Sequence, residues 1–161
     1  MNTSPNIGQF NLRNPVHLLA TGFGSGCIPF APGTWGTLAA IPFYWLASML
    51  TPAWYLSVVA LMIVAGIGLC GRTASNLNTH DHPGIVWDEF AGFFITMSFA
   101  PPGWLWIAAG FVLFRLFDIL KPWPVGQIDA SLKSGLGIMA DDIVAGLYAW
   151  LCLQGLVFFW G

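Results

Sequence analysis

Five long apolar segments dominate the sequence and limit what the chain can fold into. They cover residues 34–50, 54–70, 86–100, 104–120 and 138–160. Only 7% of the 161 residues are charged, whereas a soluble domain has about a quarter. We therefore expect one all-α domain over residues 1–161, a polytopic membrane helix bundle of about five transmembrane helices. Several segments are shorter than the ~20 residues of a usual span, which predicts local thinning of the bilayer or helix ends buried in protein.

The charged residues fall on one side of this predicted bundle. The turns at residues 51–53 and 101–103 are short and uncharged, whereas the other connections are longer and polar. With five spans, the positive-inside rule identifies the charged side as the cytoplasm. The polar first residues lack the apolar core and cleavage site of a signal peptide, so we expect insertion to use retained helices. The net charge of −2 shows no basic footprint for nucleic acid.

A glycine-rich stretch, TGFGSGCIPFAPGTWG at residues 21–36, leads into the first apolar segment. It matches neither a Walker loop nor a dinucleotide-binding fingerprint. Two interpretations remain open: a re-entrant loop at the membrane margin, or a cradle whose backbone N–H groups around Gly24 and Gly26 bind an anion. Just before it, Asn14 and His17 lie one helical turn apart. His17 is either a general acid or base, or only a hydrogen-bond partner of the loop.

Two aspartates on different helices are expected to point into the bundle. Asp88 precedes Gly92 by one helical turn, and Asp142 precedes Gly146 in the same way. Small residues on a membrane helix mark the face on which a neighbouring backbone packs closely. The two aspartates share those faces, so we expect them to meet inside the protein rather than face lipid.

Two further acids adjoin this pair. Glu89 and Asp141 lie about 100° around their helices, toward an interface or an adjoining helix. The cations of the chain are too few to neutralise all of the acids, whereas a divalent ion can. Magnesium prefers carboxylate oxygens and water as ligands. The sequence therefore predicts a magnesium site whose ligands come from Asp88, Glu89, Asp141 and Asp142, with Asp118 or Asp129 in support.

The run FRLFDILKPWP, residues 114–124, places three ionisable side chains on nearly one flank of the fourth segment. Arg115, Asp118 and Lys121 follow one another at intervals of three residues. One interpretation is a salt-bridge ladder that only holds helices together. The other is a cationic flank that binds phosphate, where the planar fork of arginine matches phosphate geometry better than lysine does.

The histidines and cysteines elsewhere carry weaker signals. His80 and His82 flank Asp81 in a polar loop, which is either a metal ligand pair or an ordinary loop near the lipid headgroups. The three cysteines are far apart and form no zinc motif. We expect them to be small packing residues: Cys27, Cys70 and Cys152.

Three classes of function fit a carboxylate cluster in a membrane helix bundle. If the site hydrolyses phosphate esters, the missing motifs for a cysteine, aspartate or histidine nucleophile favour a metal-activated water. An ion-coupled transporter is an alternative, since intramembrane acids often mark ion paths. However, transporter sites tend to lie near the midplane, whereas these charges gather at one end. A lipid phosphatase or phosphotransferase for another headgroup is the third class.

Four stretches of the sequence resemble the motif blocks of bacterial phosphatidylglycerophosphatase A. In chain order they are NPVHLLATGFGSGCIPFAPGTWGTLAAIP, HDHPGIVWDEFAGFFITM, FRLFDILKPWPVGQID and GLGIMADDIVAGLYA. They contain most of the charged residues and extend over nearly the whole chain. The resemblance implies a magnesium-dependent, multi-pass enzyme of the bacterial inner membrane with its active site on the cytoplasmic side. Its substrate would be the membrane lipid phosphatidylglycerophosphate, which is hydrolysed to phosphatidylglycerol and phosphate.

The residue types suggest a division of roles in such a reaction. Arg115 and Lys121 are expected to bind the phosphate, and Asp118 to orient Arg115 or to accept the proton of the attacking water. His17 is expected to protonate the leaving alkoxide. The predicted catalytic residues are thus Asp88, Glu89, Asp118 and His17, and the predicted substrate-binding residues are Arg115, Lys121, Asn14, Gly24 and Gly26.

Overall fold

A computed structural model describes residues 10–79, 82–123 and 134–160. The chain is helical within these ranges and contains no strand in them, which confirms the all-α prediction for this part of the protein. His80, Asp81, Asp129 and Lys133 lie outside the described residues. The elements in chain order are α1 Pro15–Ala20, a 3₁₀ turn Ser25–Cys27, α2 Pro32–Ala47, α3 Pro52–Asn76, α4 Trp87–Thr96, α5 Trp104–Leu120 and α6 Gly135–Trp160.

Prolines and glycines mark the helix boundaries. Pro15, Pro32 and Pro52 begin α1, α2 and α3. Proline is favoured there because an N–H group at the first helical position would have no acceptor within the helix. Each of the five predicted apolar segments corresponds to one helix, α2 to α6, and the bounds of α5 agree with the prediction. The predicted third segment is longer than α4, since the chain leaves the helix at Met97.

The prediction of about five transmembrane helices is supported only in part. Of the described helices, two are long and apolar enough to cross a membrane, α3 with 25 residues and α6 with 26. Helices α2, α4 and α5 have 16, 10 and 17 residues. At 1.5 Å per residue α4 is about 15 Å long, which is half of the ~30 Å hydrocarbon core. The two long apolar helices indicate a chain that associates with a membrane.

The short helix α4 lies at the centre of the packing. Eight of its residues are buried, and it contacts α2, α3, α5 and α6. A Cβ atom built on Gly146 of α6 would lie 2.6 Å from the carbonyl oxygen of Gly92 in α4, so the two backbones are in direct contact. Asp88 precedes Gly92 by four residues, and Asp142 precedes Gly146 by four residues. The two aspartates lie together, one turn from this backbone contact, at one end of the bundle.

The N-terminal segment supports the start of α4. The N–H of Val86, which precedes α4, donates to the carbonyl oxygen of Ala20 at 2.9 Å. Gly26 lies so close to Gly84 that a side chain on it would overlap the Gly84 backbone. The ring of Phe10 packs edge-on against His82, with 4.8 Å between centroids. The glycine-rich stretch therefore fixes the loop from which the first acids of α4 project.

Candidate active site

Three carboxylates from two helices meet at one end of the bundle. Asp88 and Glu89 stand in the first turn of α4, where the partial positive charge of a helix N-terminus favours acids, and Asp142 comes from α6. One carboxylate oxygen from each lies within 4.8 Å of the other two. Asp88 and Asp142 are buried, and the N–H of Glu89 donates to Asp88 Oδ1 at 3.2 Å.

The charges of this trio are not balanced among themselves. The negative charges of Asp88, Asp118 and Asp141 act on the buried Asp142. The charge of Asp142 acts in turn on Glu89. Like charges at such distances repel each other strongly when they are buried. The buried atom Glu89 Oε2 accepts no hydrogen bond from any described residue. Such an arrangement needs a cation to be stable with all its carboxylates ionised.

Helix α5 brings two cations to the same end. Arg115 Nη1 forms an ion pair with Asp118 on its own helix and lies 4.0 Å from Glu89 Oε1. Lys121 Nζ lies 3.1 Å from Asp141 Oδ2. Asp141 therefore points toward α5, and no oxygen of it belongs to the group formed by Asp88, Glu89 and Asp142.

These groups line one cavity of about 310 Å³. Among the described residues that line it are five carboxylates and two cationic side chains, so this part of the lining carries an excess of negative charge. The oxygen-only donor set of the trio and the buried Glu89 Oε2 fit a hard divalent cation such as magnesium. The lining residues are Ala31, Pro32, Gly33, Pro83, Ile85, Asp88, Glu89, Arg115, Asp118, Ile119, Lys121, Asp141 and Asp142.

His17 and Asn14 do not line this cavity. The ring of His17 is buried, its Nδ1 accepts a hydrogen bond from the N–H of Asn11 at 3.2 Å, and its Nε2 lies 3.2 Å from Asn76 Nδ2. Asn14 caps α1, since its Oδ1 accepts from the N–H of Val16 at 3.0 Å. Both side chains thus have structural contacts in the N-terminal segment and at the end of α3.

The predicted anion-binding glycines also lie away from the cavity lining. Gly24 precedes the 3₁₀ turn with a φ of 91°, a left-handed conformation that glycine adopts without strain. Gly26 packs against Gly84. His82 is buried, and its Nδ1 accepts from the N–H of Gly84 at 3.1 Å. These contacts support the fold around the start of α4.

Two of the three cysteines, Cys27 and Cys70, have the buried environments of packing residues. Cys70 is fully buried with its Sγ 3.9 Å from the sulfur of Met139, and burial raises the pKa of the Cys27 thiol. A raised pKa makes a thiol less reactive. Cys152 is exposed on α6.

One part of the cavity wall was not predicted from the sequence. The first residues of α2, Ala31 to Gly33, lie beside the carboxylates and Arg115. The glycine-rich stretch contains Gly33, but its spacing does not distinguish this glycine from Gly24 or Gly26. The Pro32–Gly33 pair indicates only that a helix begins there. The contacts of Gly33 with Glu89 and Arg115 are tertiary and cannot be seen in the local sequence.

Comparison with known proteins gives consistent matches over nearly the whole chain. A family model described as Phosphatidylglycerophosphatase A matches residues 18–157. Phosphatidylglycerophosphatase A from Escherichia coli K12 is 49% identical over 154 residues, which cover 95% of this chain and 87% of the relative. The Haemophilus influenzae protein of the same name is 49% identical over 145 residues, with 89% of each chain covered.

A third relative has a different name. A protein of Bacteroides thetaiotaomicron that carries the provisional name phosphatidylinositol-3-phosphatase is 38% identical over 144 residues, which cover 84% of this chain and 89% of the relative. No solved structure matches the chain.

Proposed function

The chain belongs to the phosphatidylglycerophosphatase A family and is a phosphatase that hydrolyses phosphatidylglycerophosphate in phospholipid biosynthesis, and we propose that the reaction takes place in the carboxylate cavity between α4, α5 and α6. The observation that carries this proposal is the meeting of Asp88, Glu89 and Asp142 within 4.8 Å. The cavity is also lined by Arg115 and Lys121, whose positive charges suit the binding of a phosphate group.

Magnesium is the proposed cofactor, held by Asp88, Glu89 and Asp142. Asp141 supports the site from the side through its ion pair with Lys121. A magnesium ion at this position supplies a water of lowered pKa and offsets the negative charge on the phosphoryl oxygens. Asp88 and Asp142 are buried, so helix packing limits the movement of two of the three proposed ligands.

Arg115 and Lys121 bind the terminal phosphate in this proposal. Each is paired with an acid in the free protein, Arg115 with Asp118 and Lys121 with Asp141. The arginine fork presents parallel N–H donors to two phosphate oxygens, and these donors stabilise the charge that builds on the phosphoryl group during transfer. The paired acids keep both cations oriented before substrate arrives.

Asp118 accepts the proton of the attacking water. The water oxygen forms the new bond to phosphorus and the bond from phosphorus to the glycerol oxygen breaks. The glycerol oxygen then takes up, through a water in the cavity, the proton that Asp118 accepted, which restores the carboxylate. Asp118 lies next to Arg115 and acts electrostatically on Asp142, so it stands between the cation-binding trio and the phosphate-binding flank. His17 has no part in this scheme, because its ring contacts Asn11 and Asn76 instead of the cavity.

The proposed setting is the bacterial inner membrane, with the carboxylate cavity on the cytoplasmic side. We assign membrane-crossing positions to all five helices α2 to α6, with the short helix α4 shielded from lipid by its neighbours. The uncharged turns at residues 51–53 and 101–103 support this orientation, since no charged group would have to cross. A cysteine in place of Arg13 should react with a membrane-impermeant thiol reagent only in inverted vesicles, and reaction in right-side-out vesicles would reverse the orientation.

The direct test is phosphate release by the purified protein in detergent micelles. We expect release from phosphatidylglycerophosphate that stops with EDTA and returns with magnesium. Release that continues in EDTA would overturn the cation site, whereas EDTA-sensitive release would support it. A parallel assay of labelled ion or solute uptake in proteoliposomes should show no transport.

A second headgroup is a specific alternative because of the name of the Bacteroides relative. The same assay should therefore include phosphatidylinositol 3-phosphate and phosphatidic acid. A higher kcat/KM for either of these than for phosphatidylglycerophosphate would assign the cavity to another lipid phosphomonoester.

A further inference from the structure

Gly33 is the point at which the backbone of α2 touches the proposed active site. It is buried as the second residue of α2 and lines the carboxylate cavity. A Cβ atom built on it would overlap Glu89 Oε1 and would lie 2.9 Å from Nη1 and 3.2 Å from Nη2 of Arg115. One methyl group at this position would therefore meet both a proposed cation ligand and the proposed phosphate-binding arginine.

This environment differs from that of the other glycines whose surroundings the structure describes. Among them, Gly33 is the one where an added Cβ would meet charged side-chain atoms. Gly36, one turn further along α2, faces the side chain of Val86, with 2.6 Å to its Cβ. Gly68 in α3 and Gly155 in α6 have no atom within 4 Å of the added Cβ. The chain thus offers matched controls for a glycine-to-alanine change.

The first turn of α2 has little room to move away from Glu89. The close contact of Gly36 with Val86 holds the helix against the start of α4. Within α2, Thr37 Oγ1 donates to the carbonyl oxygen of Gly33 at 2.9 Å in a buried position. A side chain on residue 33 would therefore displace Glu89 or Arg115 rather than the helix, because those side chains can rotate and the packed backbone cannot.

We propose that Gly33 is a positioning residue, whose missing side chain lets the α2 backbone hold Glu89 and Arg115 in the arrangement that binds the divalent cation and the phosphate. This inference rests on the function proposed above. Displacement of a reacting or positioning group by about 1 Å can lower a rate about 100-fold. Gly33 acts through its two neighbours and has no chemical role of its own.

The test compares Gly33→Ala with Gly36→Ala and Gly68→Ala in detergent micelles. Three quantities are measured for each: binding of Mn²⁺ alone by electron paramagnetic resonance, kcat and KM for phosphatidylglycerophosphate with magnesium, and the thermal unfolding midpoint. We expect Gly33→Ala to weaken Mn²⁺ binding about 10-fold or more and to lower kcat by about 10- to 100-fold. Gly68→Ala should match the wild type in Mn²⁺ binding, kcat and KM, and its unfolding midpoint should equal or exceed that of the wild type, because alanine favours a helix more than glycine does.

Gly36→Ala separates packing from positioning. The variant should have a lower unfolding midpoint, since its added Cβ meets Val86. Its Mn²⁺ affinity should stay within about 3-fold of the wild type. A 3-fold change is less than half of the 1.4 kcal/mol that a tenfold change represents. If Gly33→Ala gives Mn²⁺ affinity and kcat within that same factor, the inference is overturned. If Gly36→Ala loses Mn²⁺ affinity as strongly as Gly33→Ala, the effect is general packing and the inference is also overturned.

A second variant keeps the test decisive if Gly33→Ala does not fold. Glu89→Asp shortens the acid by one methylene group and makes room beside residue 33. The double variant Gly33→Ala with Glu89→Asp should then fold, and its Mn²⁺ affinity should lie within about 3-fold of that of Glu89→Asp alone. A double variant that binds Mn²⁺ about 10-fold more weakly than Glu89→Asp alone, or that also fails to fold, would contradict the inference.

Failure of the proposed function gives a different result. Wild-type protein that binds no Mn²⁺ and releases phosphate without magnesium would overturn both the cation site and the role of Gly33. Wild-type protein that depends on magnesium, beside a Gly33→Ala variant equal to it, would overturn the role of Gly33 alone.

Discussion

The two ends of the bundle satisfy their buried polar groups in opposite ways. At the neutral end, around residues 97–100, uncharged side chains donate to backbone carbonyls. Tyr55 donates its hydroxyl to the carbonyl oxygen of Phe94 at 2.7 Å, and both Trp150 Nε1 and Gln154 Nε2 donate to that of Ser98 at 3.0 Å. These bonds satisfy the carbonyl of Phe94, which lies in the last turn of α4 where no partner within the helix is available, and that of Ser98 just beyond the helix.

At the acid end, the polar groups repel each other instead. In the described part of the chain, five carboxylates line the cavity beside two cationic side chains, and Glu89 Oε2 accepts no hydrogen bond there. Buried carboxylates without enough partners destabilise a fold. The difference teaches that the hydrogen bonds at the neutral end hold helix α4 in place, while its other end carries more negative charge than the described cations balance.

The largest expected effect is that of Asp88→Asn. The substitution keeps the shape of the side chain but removes one of three charges from the proposed cation site, so kcat for phosphatidylglycerophosphate should fall by at least about 100-fold. Phosphate release with magnesium measures this. Thermal unfolding in EDTA serves as the control, and the midpoint should equal or exceed that of the wild type because one repelling charge is gone. Activity above about a tenth of the wild type would remove Asp88 from the cation site.

The next effect is that of removing the phosphate-binding fork. Arg115→Ala should lower kcat about 100-fold, the usual loss for one donor to a developing negative charge. Arg115→Lys should lie between alanine and the wild type, since lysine keeps the charge but not the fork. Arg72→Ala is the matched control, because Arg72 is exposed on α3 and does not line the cavity. Equal losses at both arginines would indicate a general electrostatic effect and weaken the contrast between the ends.

Magnesium itself should stabilise the acid end. At a concentration 100 times its Kd, a ligand that binds only the folded state adds about 2.7 kcal/mol. The unfolding midpoint in micelles should rise with magnesium for the wild type and should not rise for Asp142→Asn, which lacks one ligand of the trio. The same rise in both proteins would mean that magnesium acts elsewhere, for example on the detergent or the protein surface.

The smallest effect is expected at the neutral end. Tyr55→Phe removes the hydrogen bond to Phe94 and should lower the free energy of unfolding by about 1 kcal/mol, measured by denaturant titration in micelles. The magnesium concentration for half-maximal activity should not change, because Tyr55 is far along the helices from the carboxylates. A changed magnesium dependence would show that the two ends are coupled and would break the comparison.

Most of the fold could be predicted from local properties of the sequence. The five apolar segments each correspond to a helix, and for α5 both bounds agree. Helix α6 begins at Gly135, three residues before the predicted segment, because Gly135 packs against the backbone of α3 and extends the helix there. The number of membrane spans was less predictable, since hydropathy does not reveal that α4 is a buried helix of ten residues.

The position of the candidate site was predictable where small residues indicated which helix faces pack together. Gly92 and Gly146 indicated the faces on which α4 and α6 meet, and the structure brings Asp88 and Asp142 together one turn away. The sequence did not distinguish Asp141 from Glu89 as neighbours of this pair. Glu89 joins the trio, whereas Asp141 turns to Lys121.

The sequence by itself determined that this chain is helical, that it associates with a membrane, and that its ionisable groups gather at one end, because hydrophobicity and charge are properties of each segment. Only the tertiary structure decided which acids face one another, and that the α2 backbone at Gly33 touches Glu89 and Arg115. The physical reason is that partner choice depends on how far each helix is rotated and shifted against its neighbours. A rotation of about 100°, the angle between consecutive residues of a helix, is enough to exchange Asp142 for Asp141.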